Sequence, residues 1–436
     1  MLLNGRWHFV PCGGFVRLMS RDDPDPMSVL APERLICDLT QSWSEVGGGV
    51  GTYLRHKRRH ILANTPHRHL LIVPGPEDSV VEEGRAITAT IRSPHVPGSP
   101  NYRLMLRNGA VRELLERLRP NLIECQDSYN LPWAAIAHRK RYPETALVAG
   151  YFTDFPTVYV ERPFSKVMGG VLAGAAGRLC YRYCGNLYRR FDAVFALSEN
   201  GGATKLRSYG VEDVQIVPLG VELGDFGPSR RDARLRRSVG LKNGGPLLIY
   251  VGRLDLEKKP NVVVDAFRKL PEEMDARLVL LGEGPLREEI KALGDKRIFT
   301  PGYVRSREEL ARWLASADLY VSAMADETFG VSIIEAQASG LPVVGVAAGA
   351  MIDRVTQETG RLGPVNDSDA MAENILGVWN SDRSTMAEIA QAQARQYSWD
   401  RSMEALFGSI YRSAFARSAE RLATAPQAMR QLVPAE

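Results

Sequence analysis

The chain has 436 residues, and its 55 lysines and arginines against 51 aspartates and glutamates give a formal net charge of +4. The 44% of hydrophobic and 24% of charged residues are ordinary for a globular protein and exclude disordered, collagen-like and coiled-coil chains. A charge so close to neutral over this length excludes a protein that binds nucleic acid through its overall charge. The length predicts two or three domains, each large enough for a core of its own.

Both ends of the chain are predicted to lie outside the fold. Residues 1–33 include the run Arg21–Pro26, whose prolines and aspartates disfavour regular structure, and we expect a mobile extension there rather than a signal peptide. Residues 422–436 form a similar tail. The absence of any stretch of about 18 apolar residues excludes a membrane span. The five cysteines are too scattered for a disulfide framework or a metal-binding pair, which predicts a reducing, cytoplasmic location.

Short apolar runs alternate with helix-length amphipathic stretches along the rest of the chain. Runs of valine, isoleucine and leucine separated by helices are typical of parallel strands buried on both faces, so we predict an α/β fold with doubly wound sheets. In the first half the predicted strands are Leu35–Leu39, Leu70–Val73, Leu122–Glu124, Leu147–Gly150, Ala193–Leu197 and Gln215–Val217. In the second half they are Leu247–Val251, Ala276–Leu281, Ile298–Thr300, Leu319–Val321 and Val343–Val346.

The strand pattern divides into two Rossmann-like units. We predict an N-terminal unit at 34–223 and a C-terminal unit at 246–398. Residues 224–245 contain Pro228 and the stretch Asn243–Gly245, which interrupt the pattern and predict a linker. Because ligands of open α/β sheets bind beyond the C-terminal ends of the strands, two such units predict a binding cleft between them.

A glycine-rich segment, Glu45–Leu54, follows the first predicted strand. It does not fit the dinucleotide-binding pattern Gly-x-Gly-x-x-Gly, because Thr52 occupies the position of the third glycine. The chain also lacks the Gly-Lys-Ser/Thr of phosphate-loop ATPases. These departures disfavour a Rossmann oxidoreductase and a phosphate-loop ATPase.

Several charged residues of the first half have more than one interpretation. The run Arg55–His60 lies on a predicted helix, where one solvated face is the favoured interpretation and contact with anionic lipid or a phosphorylated acceptor is the alternative. His67 and His69 are predicted to be surface loop residues. Asp127 follows a strand and could either line the cleft or cap the next helix.

In the second half, polar residues follow the ends of predicted strands. Arg253 comes after the strand Leu247–Val251, and Lys258 lies in the same loop. The two cations indicate a site for an anionic ligand, although solvated surface charges are the simpler interpretation of these two residues alone. The turns Gly282–Pro285 and Pro301–Val304 follow two further strands, and the small residues allow a ligand to approach the backbone.

Two glutamates flank a predicted helix start. Gly330 directly precedes an apolar, helix-like stretch, and a helix N-terminus behind a glycine readily binds anions. Glu327 lies before this turn, and Glu335 lies inside the helix. Carboxylates placed in this way around a phosphate site can accept hydrogen bonds from hydroxyl groups on either side of the phosphate.

The order of these motifs resembles that of the retaining glycosyltransferases of family 4, which have the GT-B fold. The resemblance rests on Gly-Arg-Leu…Glu-Lys, Gly-Glu-Gly-Pro, Gly-Tyr-Val, Glu-x7-Glu with Phe-Gly inside it, and Ala-Ser-Gly-Leu-Pro-Val-Val-Gly. In the first half, the glycine-rich segment, Ser198 and Val217–Val221 follow the family's pattern. Trp399–Asp400 and the stretch Met403–Phe415 resemble the family's last helix, which implies a helix at 399–421 that returns to the first domain.

The resemblance implies a nucleotide-diphosphate sugar as co-substrate in the second domain, with no cofactor and no metal. It implies that Arg253 and Lys258 grip the diphosphate as catalytic residues, that Glu327 acts at the sugar, and that Glu335 binds the ribose hydroxyls. The other donor-binding residues that it implies are Gly48, Gly49, Glu283, Tyr303, Val304, Phe329, Gly330 and Val331. Asp367–Asp369 has the spelling of a metal-binding Asp-x-Asp, but it precedes a predicted helix and is interpreted as an N-cap.

On the acceptor side the sequence departs from the family pattern. Phe152 stands where many relatives carry a histidine before an aspartate. Either another residue takes that role, with Asp154 the nearest catalytic candidate, or the leaving phosphate itself accepts the proton of the acceptor. Asp127 and Tyr151 are further acceptor-side candidates.

The resemblance thus implies a retaining hexosyltransferase that uses a UDP- or GDP-linked sugar. The predicted acceptor is a lipid, a glycan or a natural product, with peripheral contact to the cytoplasmic face of a membrane and no nucleic-acid partner. One alternative is a sugar-nucleotide 2-epimerase of the same fold, against which the Glu-x7-Glu motif and the Arg253–Lys258 pair argue. Another is an inactive sugar-nucleotide-binding partner in a glycan assembly complex, which the departure at Phe152 leaves open.

Overall fold

A computed structural model of the protein describes residues 33–44, 48–96, 99–161, 170–241 and 244–424. The extension predicted at 1–33 and the tail predicted at 422–436 therefore lie almost entirely outside the described residues. The same holds for residues 45–47 of the glycine-rich segment.

The strands of the first half form one large sheet and one small one. They are β1 (Leu35–Leu39), β2 (Arg68–Gly75), β3 (Ser79–Glu83), β4 (Ala86–Arg92), β5 (His95–Val96), β6 (Ser99–Arg103), β7 (Leu122–Cys125), β8 (Ala146–Tyr151), β9 (Ala193–Ala196) and β10 (Val214–Ile216). The large sheet has the order β10-β9-β8-β7-β1-β2-β4-β3, while β5 pairs with β6 alone. All neighbours in the large sheet are parallel except β3 and β4.

The strands of the second half form a separate, fully parallel sheet. They are β11 (Leu247–Val251), β12 (Arg277–Leu281), β13 (Ile298–Gly302), β14 (Leu319–Val321), β15 (Val343–Val346) and β16 (Gly360–Gly363). Their order is β13-β12-β11-β14-β15-β16. The two-sheet α/β architecture predicted from the apolar runs is thereby confirmed.

Helices pack on both sheets and complete the doubly wound pattern. In the first half they are α1 (Gly49–Asn64), α2 (Asn108–Leu118), α3 (Pro132–Arg141), α4 (Gly170–Tyr188) and α5 (Thr204–Ser208). Those of the second half are α6 (Ala233–Ser238), α7 (Pro260–Arg268), α8 (Arg287–Ala292), α9 (Arg307–Ser316), α10 (Val331–Ala338), α11 (Met351–Arg354), α12 (Ser368–Trp379), α13 (Arg383–Ala394), α14 (Trp399–Ala405) and α15 (Arg412–Thr424). None of the helices in the described residues is long and apolar enough to cross a bilayer.

Every predicted strand is present within two residues at each end, but β3, β4, β5, β6 and β16 were not predicted. β3 carries glutamates and exposed valines because it lies at the outer edge of its sheet. β4 alternates small, polar and apolar residues rather than forming a continuous apolar run. The prediction that Asp367 caps a helix is confirmed, because its Oδ1 accepts a hydrogen bond from the amide of Ala370 at 2.9 Å, at the start of α12.

The end of the chain returns to the first sheet, as the resemblance implied. After α14, a π-helical turn at Leu406–Tyr411 leads into α15. The Tyr411 hydroxyl donates to Glu124 Oε2 at 2.8 Å, in the strand β7. Arg421 pairs with Asp192, also in the first half. The helix runs to Thr424, a little beyond the predicted end at 421.

Two predictions about charged residues near β1 are wrong. His67 and His69 were expected at the surface, but both side chains are fully buried, and His69 Nε2 lies 2.8 Å from Asp38 Oδ2. Lys57, expected on a solvated helix face, is also fully buried, with Nζ 2.5 Å from Asp38 Oδ1 and 2.9 Å from Glu124 Oε2. The neighbouring strands β1 and β7 place these two carboxylates side by side inside the fold, where they need a cation.

Candidate active site

A cavity of about 890 Å³ opens between the two sheets. On the side of the second sheet it lies beyond the C-terminal ends of β11 and β14, which are neighbours in the sheet although β12 and β13 separate them in sequence. The strand order reverses at this point, and open α/β sheets bind ligands at such switch points. The predicted cleft therefore coincides with the polar residues that follow these strands.

Most of the donor-side residues predicted from the sequence lie in the wall of this cavity. They are Gly49, Arg253, Lys258, Glu283, Tyr303, Val304, Glu327, Phe329, Gly330, Val331 and Glu335. Outside the wall are Gly48, Asp127, Tyr151 and Asp154. Gly48 directly precedes α1. The first two residues of this helix, Gly49 and Val50, line the cavity on the side of the first sheet.

Carboxylates hold the two predicted cations at the cavity wall. Lys258 Nζ lies 3.0 Å from Glu327 Oε2, across the gap between two strand ends. Arg253 Nη2 lies 2.9 Å from Glu257 Oε2, and its Nη1 pairs with Asp255. Because the Arg253 side chain is 61% exposed, its ion pairs contribute little and can be exchanged for those of an anionic ligand. The two cations are thus held at one site rather than scattered over the surface.

The turn before α10 combines a left-handed glycine with a partly buried carboxylate, that of Glu327. Gly330 has a φ of 87°, and its amide donates to Glu327 Oε1 at 3.1 Å. Burial alone would raise the pKa of Glu327, but the Lys258 ammonium and the amides of Gly330 and Phe329 outweigh it and hold that pKa below its ordinary value. Ionised Glu327 therefore orients both the lysine and the N-terminus of α10, which faces the cavity.

The carboxylate of Glu335, also in the cavity wall, is buried. Burial raises its pKa to about 7, and the Arg307 guanidinium, whose Nη1 lies 3.4 Å from Glu335 Oε1, opposes this rise. In its ionised form the carboxylate accepts strong hydrogen bonds from hydroxyl groups of a ligand. The ribose-binding role that the resemblance implies for Glu335 stays a prediction.

Replacing Glu335 with glutamine is expected to stabilise the ligand-free protein in mildly alkaline solution. The pKa of Glu335 in the folded protein is about 7, above the ordinary value of 4.5. Between these two pH values the folded protein binds more protons than the unfolded chain does, so its stability falls as the pH rises from 4.5 to about 7. The neutral amide removes this loss, which is on the order of 2–3 kcal/mol. Thermal unfolding at about pH 5 and about pH 8 should show a gain for the variant only at the higher pH. An equal effect at both pH values would contradict this expectation.

The glycine turn after β12 brings two loops close together at the wall. A Cβ on Gly282 would lie 1.8 Å from the carbonyl oxygen of Gly252, so only glycine fits. Glu283 follows on the cavity wall. Beyond β13, Tyr303 lies at the rim with 68% of its surface exposed, next to Val304. This rim offers an aromatic face to a planar base.

The first sheet closes the cavity through its backbone as well as its side chains. Thr328 Oγ1 donates to the carbonyl oxygen of Phe152 at 3.0 Å, and Ser198 Oγ donates to the carbonyl oxygen of Thr328 at 2.9 Å. The Phe152 ring packs on Tyr53, with 5.0 Å between ring centroids. Phe152 therefore places a nonpolar ring in the cavity wall, where the family pattern leads one to expect a histidine.

Asp154 and Tyr151 belong to a buried network beside the cavity. Asp154 pairs with Lys205, and its Oδ1 accepts hydrogen bonds from the hydroxyls of Tyr151 at 3.0 Å and Tyr181 at 2.5 Å. Burial would raise the pKa of Asp154, but Lys205 and the two hydroxyls hold it below its ordinary value. Since both carboxylate oxygens have partners, the geometry favours a supporting role over direct proton transfer.

Asp127 neither lines the cavity nor caps α3, which begins after Leu131. Its carboxylate accepts hydrogen bonds from Thr40 Oγ1 at 3.0 Å, from the amide of Gln41 at 2.6 Å and from Ser42 Oγ at 2.6 Å. Burial raises the pKa of Asp127 in spite of these bonds. Because these three partners directly follow β1, Asp127 anchors the loop that leads to the glycine-rich segment.

A group of wall residues at the start of α9 was not predicted from the sequence. Arg305, Ser306 and Arg307 line the cavity. Ser306 caps the helix by accepting a hydrogen bond from the amide of Glu309, and the Ser-x-x-Glu spelling would have signalled this helix start. No local signal shows that Arg307 reaches Glu335, which lies in another helix.

Comparisons with known proteins show the family to which the chain belongs. The model described as Glycosyltransferase Family 4 matches residues 47–225, and the model described as Glycosyl transferases group 1 matches residues 245–381. A D-inositol 3-phosphate glycosyltransferase from Xylanimonas cellulosilytica is 30% identical over 353 residues, which cover 75% of this chain and 83% of that protein. The chain belongs to the family 4 glycosyltransferases.

Two further proteins resemble this family 4 glycosyltransferase over most of its length. The GDP-mannose-dependent alpha-(1-6)-phosphatidylinositol dimannoside mannosyltransferase of Mycobacterium tuberculosis is 29% identical over 353 residues, covering 79% of this chain and 87% of that protein. The structure of sucrose-phosphate synthase from Thermosynechococcus elongatus has a TM-score of 0.68 and 21% identity, covering 88% of this chain and 100% of that one. The fold is therefore GT-B, and this glycosyltransferase takes its sugar from a nucleotide-sugar donor.

Proposed function

We propose that the protein transfers a hexose from a UDP- or GDP-linked donor to an acceptor hydroxyl, with retention of configuration and without a metal ion. One observation carries the proposal: Arg253, Lys258, Glu335 and the N-terminus of α10 face one cavity at the switch point of the second sheet. Two cations and a helix N-terminus suit a diphosphate, and a buried carboxylate suits the ribose hydroxyls.

In this proposal the cations stabilise the leaving diphosphate. The bond from the anomeric carbon to the β-phosphate oxygen breaks, and negative charge grows on the nucleoside diphosphate. Lys258 and Arg253 exchange their carboxylate partners for phosphate oxygens, so the stabilisation is in place before the reaction begins. Their two positive charges are the reason for proposing a reaction without a metal ion.

The acceptor oxygen then bonds to the anomeric carbon on the face that the diphosphate leaves. Its proton passes to the departing β-phosphate oxygen, which yields the glycoside and the nucleoside diphosphate. Phe152 has no proton-accepting group, and Asp154 is engaged by Lys205 and two tyrosine hydroxyls. These contacts support the leaving phosphate as the proton acceptor.

The relatives suggest which substrates to try first. The Mycobacterium tuberculosis relative is named for GDP-mannose and for a phosphatidylinositol dimannoside, and the Xylanimonas relative is named for D-inositol 3-phosphate. We therefore propose GDP-mannose as the first donor, with acceptors that carry an inositol phosphate, either free or as a lipid headgroup. Of the run Arg55–His60, Arg55 and Arg59 are exposed, which suits an anionic headgroup at that surface.

A donor panel tests the proposed function. UDP- and GDP-linked hexoses are incubated with inositol phosphate, with phosphatidylinositol vesicles and with an oligosaccharide, and the released nucleoside diphosphate and the glycoside are measured. We expect one donor to be turned over with an α-linked product from an α-linked donor. The variant Glu335→Ala should lower the apparent affinity for that donor about tenfold or more. Absence of turnover with every donor, or a Glu335→Ala variant with unchanged donor affinity, would contradict the proposal.

A further inference from the structure

Arg307 joins the cavity wall to the chain segment that crosses between the two sheets. It begins α9, and its side chain is 47% exposed. Its Nη2 donates to the carbonyl oxygen of Glu222 at 2.8 Å, and its Nε lies 3.7 Å from Asp225 Oδ2. The guanidinium also lies over the Phe226 ring, 5.0 Å from the centroid. One side chain therefore contacts three residues of this first crossing.

The same guanidinium reaches the buried carboxylate of the cavity. Arg307 Nη1 lies 3.4 Å from Glu335 Oε1. Because a guanidinium is planar and its nitrogens are fixed relative to one another, the contacts of Nη2 and Nε with the crossing determine where Nη1 can lie. The position of the cation beside Glu335 thus depends on the crossing as well as on α9.

The contacts continue from this crossing to the second one. Glu222 Oε1 lies 3.3 Å from His56 Nε2. His56 belongs to α1, a helix of the first half of the chain. The His56 ring stacks on Trp399 at the start of α14, with 4.0 Å between ring centroids and 5° between the ring planes. A continuous series of contacts therefore leads from Glu335 through Arg307 to both segments that connect the sheets.

We propose that Arg307 is a positioning residue for donor binding. It orients Glu335 and favours its ionised form, and it links occupancy of the cavity to the two crossings. The inference rests on the proposed function, because it takes ribose hydroxyls as the ligand of Glu335. An ionised carboxylate accepts stronger hydrogen bonds than a protonated one, so a cation held beside Glu335 strengthens donor binding near neutral pH.

The first test compares Arg307→Gln and Arg307→Lys with Lys291→Gln, which removes an exposed cation of α8 in the same domain. The donor KM and kcat are measured across the neutral pH range with the donor that the panel identifies. Arg307→Gln should raise the KM about tenfold with little change in kcat, and the pH at which donor binding improves should move upward, since the pKa of Glu335 rises without its cation. The KM of Arg307→Lys should lie between those of the wild type and Arg307→Gln, and the KM of Lys291→Gln should match that of the wild type.

Hydrogen exchange of residues 221–226 provides a second readout. GDP, or UDP if the panel selects a UDP-linked sugar, should slow exchange there in the wild type and not in Arg307→Gln. An unchanged KM with an unchanged pH profile in Arg307→Gln, or equal protection in both proteins, would overturn the inference. If Glu335→Gln weakens donor binding while Arg307→Gln does not, the inference fails and the proposed function stands. If no donor is turned over, the proposed function itself fails.

Discussion

Replacing Lys258 with alanine is expected to lower turnover about 100- to 1000-fold, because the ammonium stabilises charge that grows on the leaving diphosphate. Its Nζ lies 3.0 Å from Glu327 Oε2 at the cavity wall, so its loss also leaves a partly buried carboxylate without its cation. The donor KM should change less than kcat, since the interaction strengthens toward the transition state. Steady-state kinetics with the identified donor measure both constants.

Lys269→Ala is the matched control for this prediction. Lys269 follows α7, is 39% exposed and pairs with Asp369 at 2.6 Å, away from the cavity wall. Its loss should leave kcat within about twofold of the wild type, as expected for an exposed ion pair. Turnover of Lys258→Ala within the same twofold range would show that the lysine does not act on the leaving group.

Replacing Gly330 with alanine is expected to lower both the stability of the protein and its activity. The φ of 87° is costly for any residue with a side chain, and a Cβ there would lie 2.7 Å from Ile333 Cδ1. We expect a loss of stability of about 1–2 kcal/mol. Because the Gly330 amide and the N-terminus of α10 must shift, kcat/KM should fall about 10- to 100-fold. Thermal unfolding and steady-state kinetics measure the two effects.

Gly377→Ala provides the contrasting glycine. Gly377 lies inside α12, and a Cβ there meets no atom within 4 Å. Alanine should raise the stability at this position by about 0.4–1 kcal/mol and leave the kinetics unchanged. If both glycine variants shifted the unfolding temperature in the same direction, the argument from the left-handed turn at Gly330 would be wrong.

The central strands could be predicted because the residues of each strand are enough to identify it. β11 and β14, buried on both faces, appear in the sequence as short apolar runs with polar residues directly behind them. Arg253 follows β11 and Glu327 follows β14, and both line the cavity because parallel neighbouring strands end at one edge of a sheet. β3 was missed because it lies at the edge of its sheet with four of its five residues exposed, so it has no continuous apolar run.

The partners of buried charges could not be predicted in the same way. Lys57 contacts Asp38, Glu124 and Tyr411, and the last of these lies 354 residues further along the chain. The sequence of this basic run of six residues is typical of a solvated helix face. It does not show that two carboxylates of the sheet lie next to Lys57 in the folded protein. Arg307 is a similar case, because its neighbours in sequence give no sign of Glu335 or of the crossing between the sheets.

A crystal structure of the protein with the nucleoside diphosphate of its donor would show directly whether the cavity is the donor site. We expect the diphosphate to lie within hydrogen-bonding distance of Arg253, Lys258 and the N-terminus of α10, with the ribose hydroxyls at Glu335. Lys258 and Arg253 should have exchanged their carboxylate partners for phosphate oxygens. A nucleoside diphosphate bound elsewhere, or bound in this cavity without contacts to these groups, would contradict the proposed function.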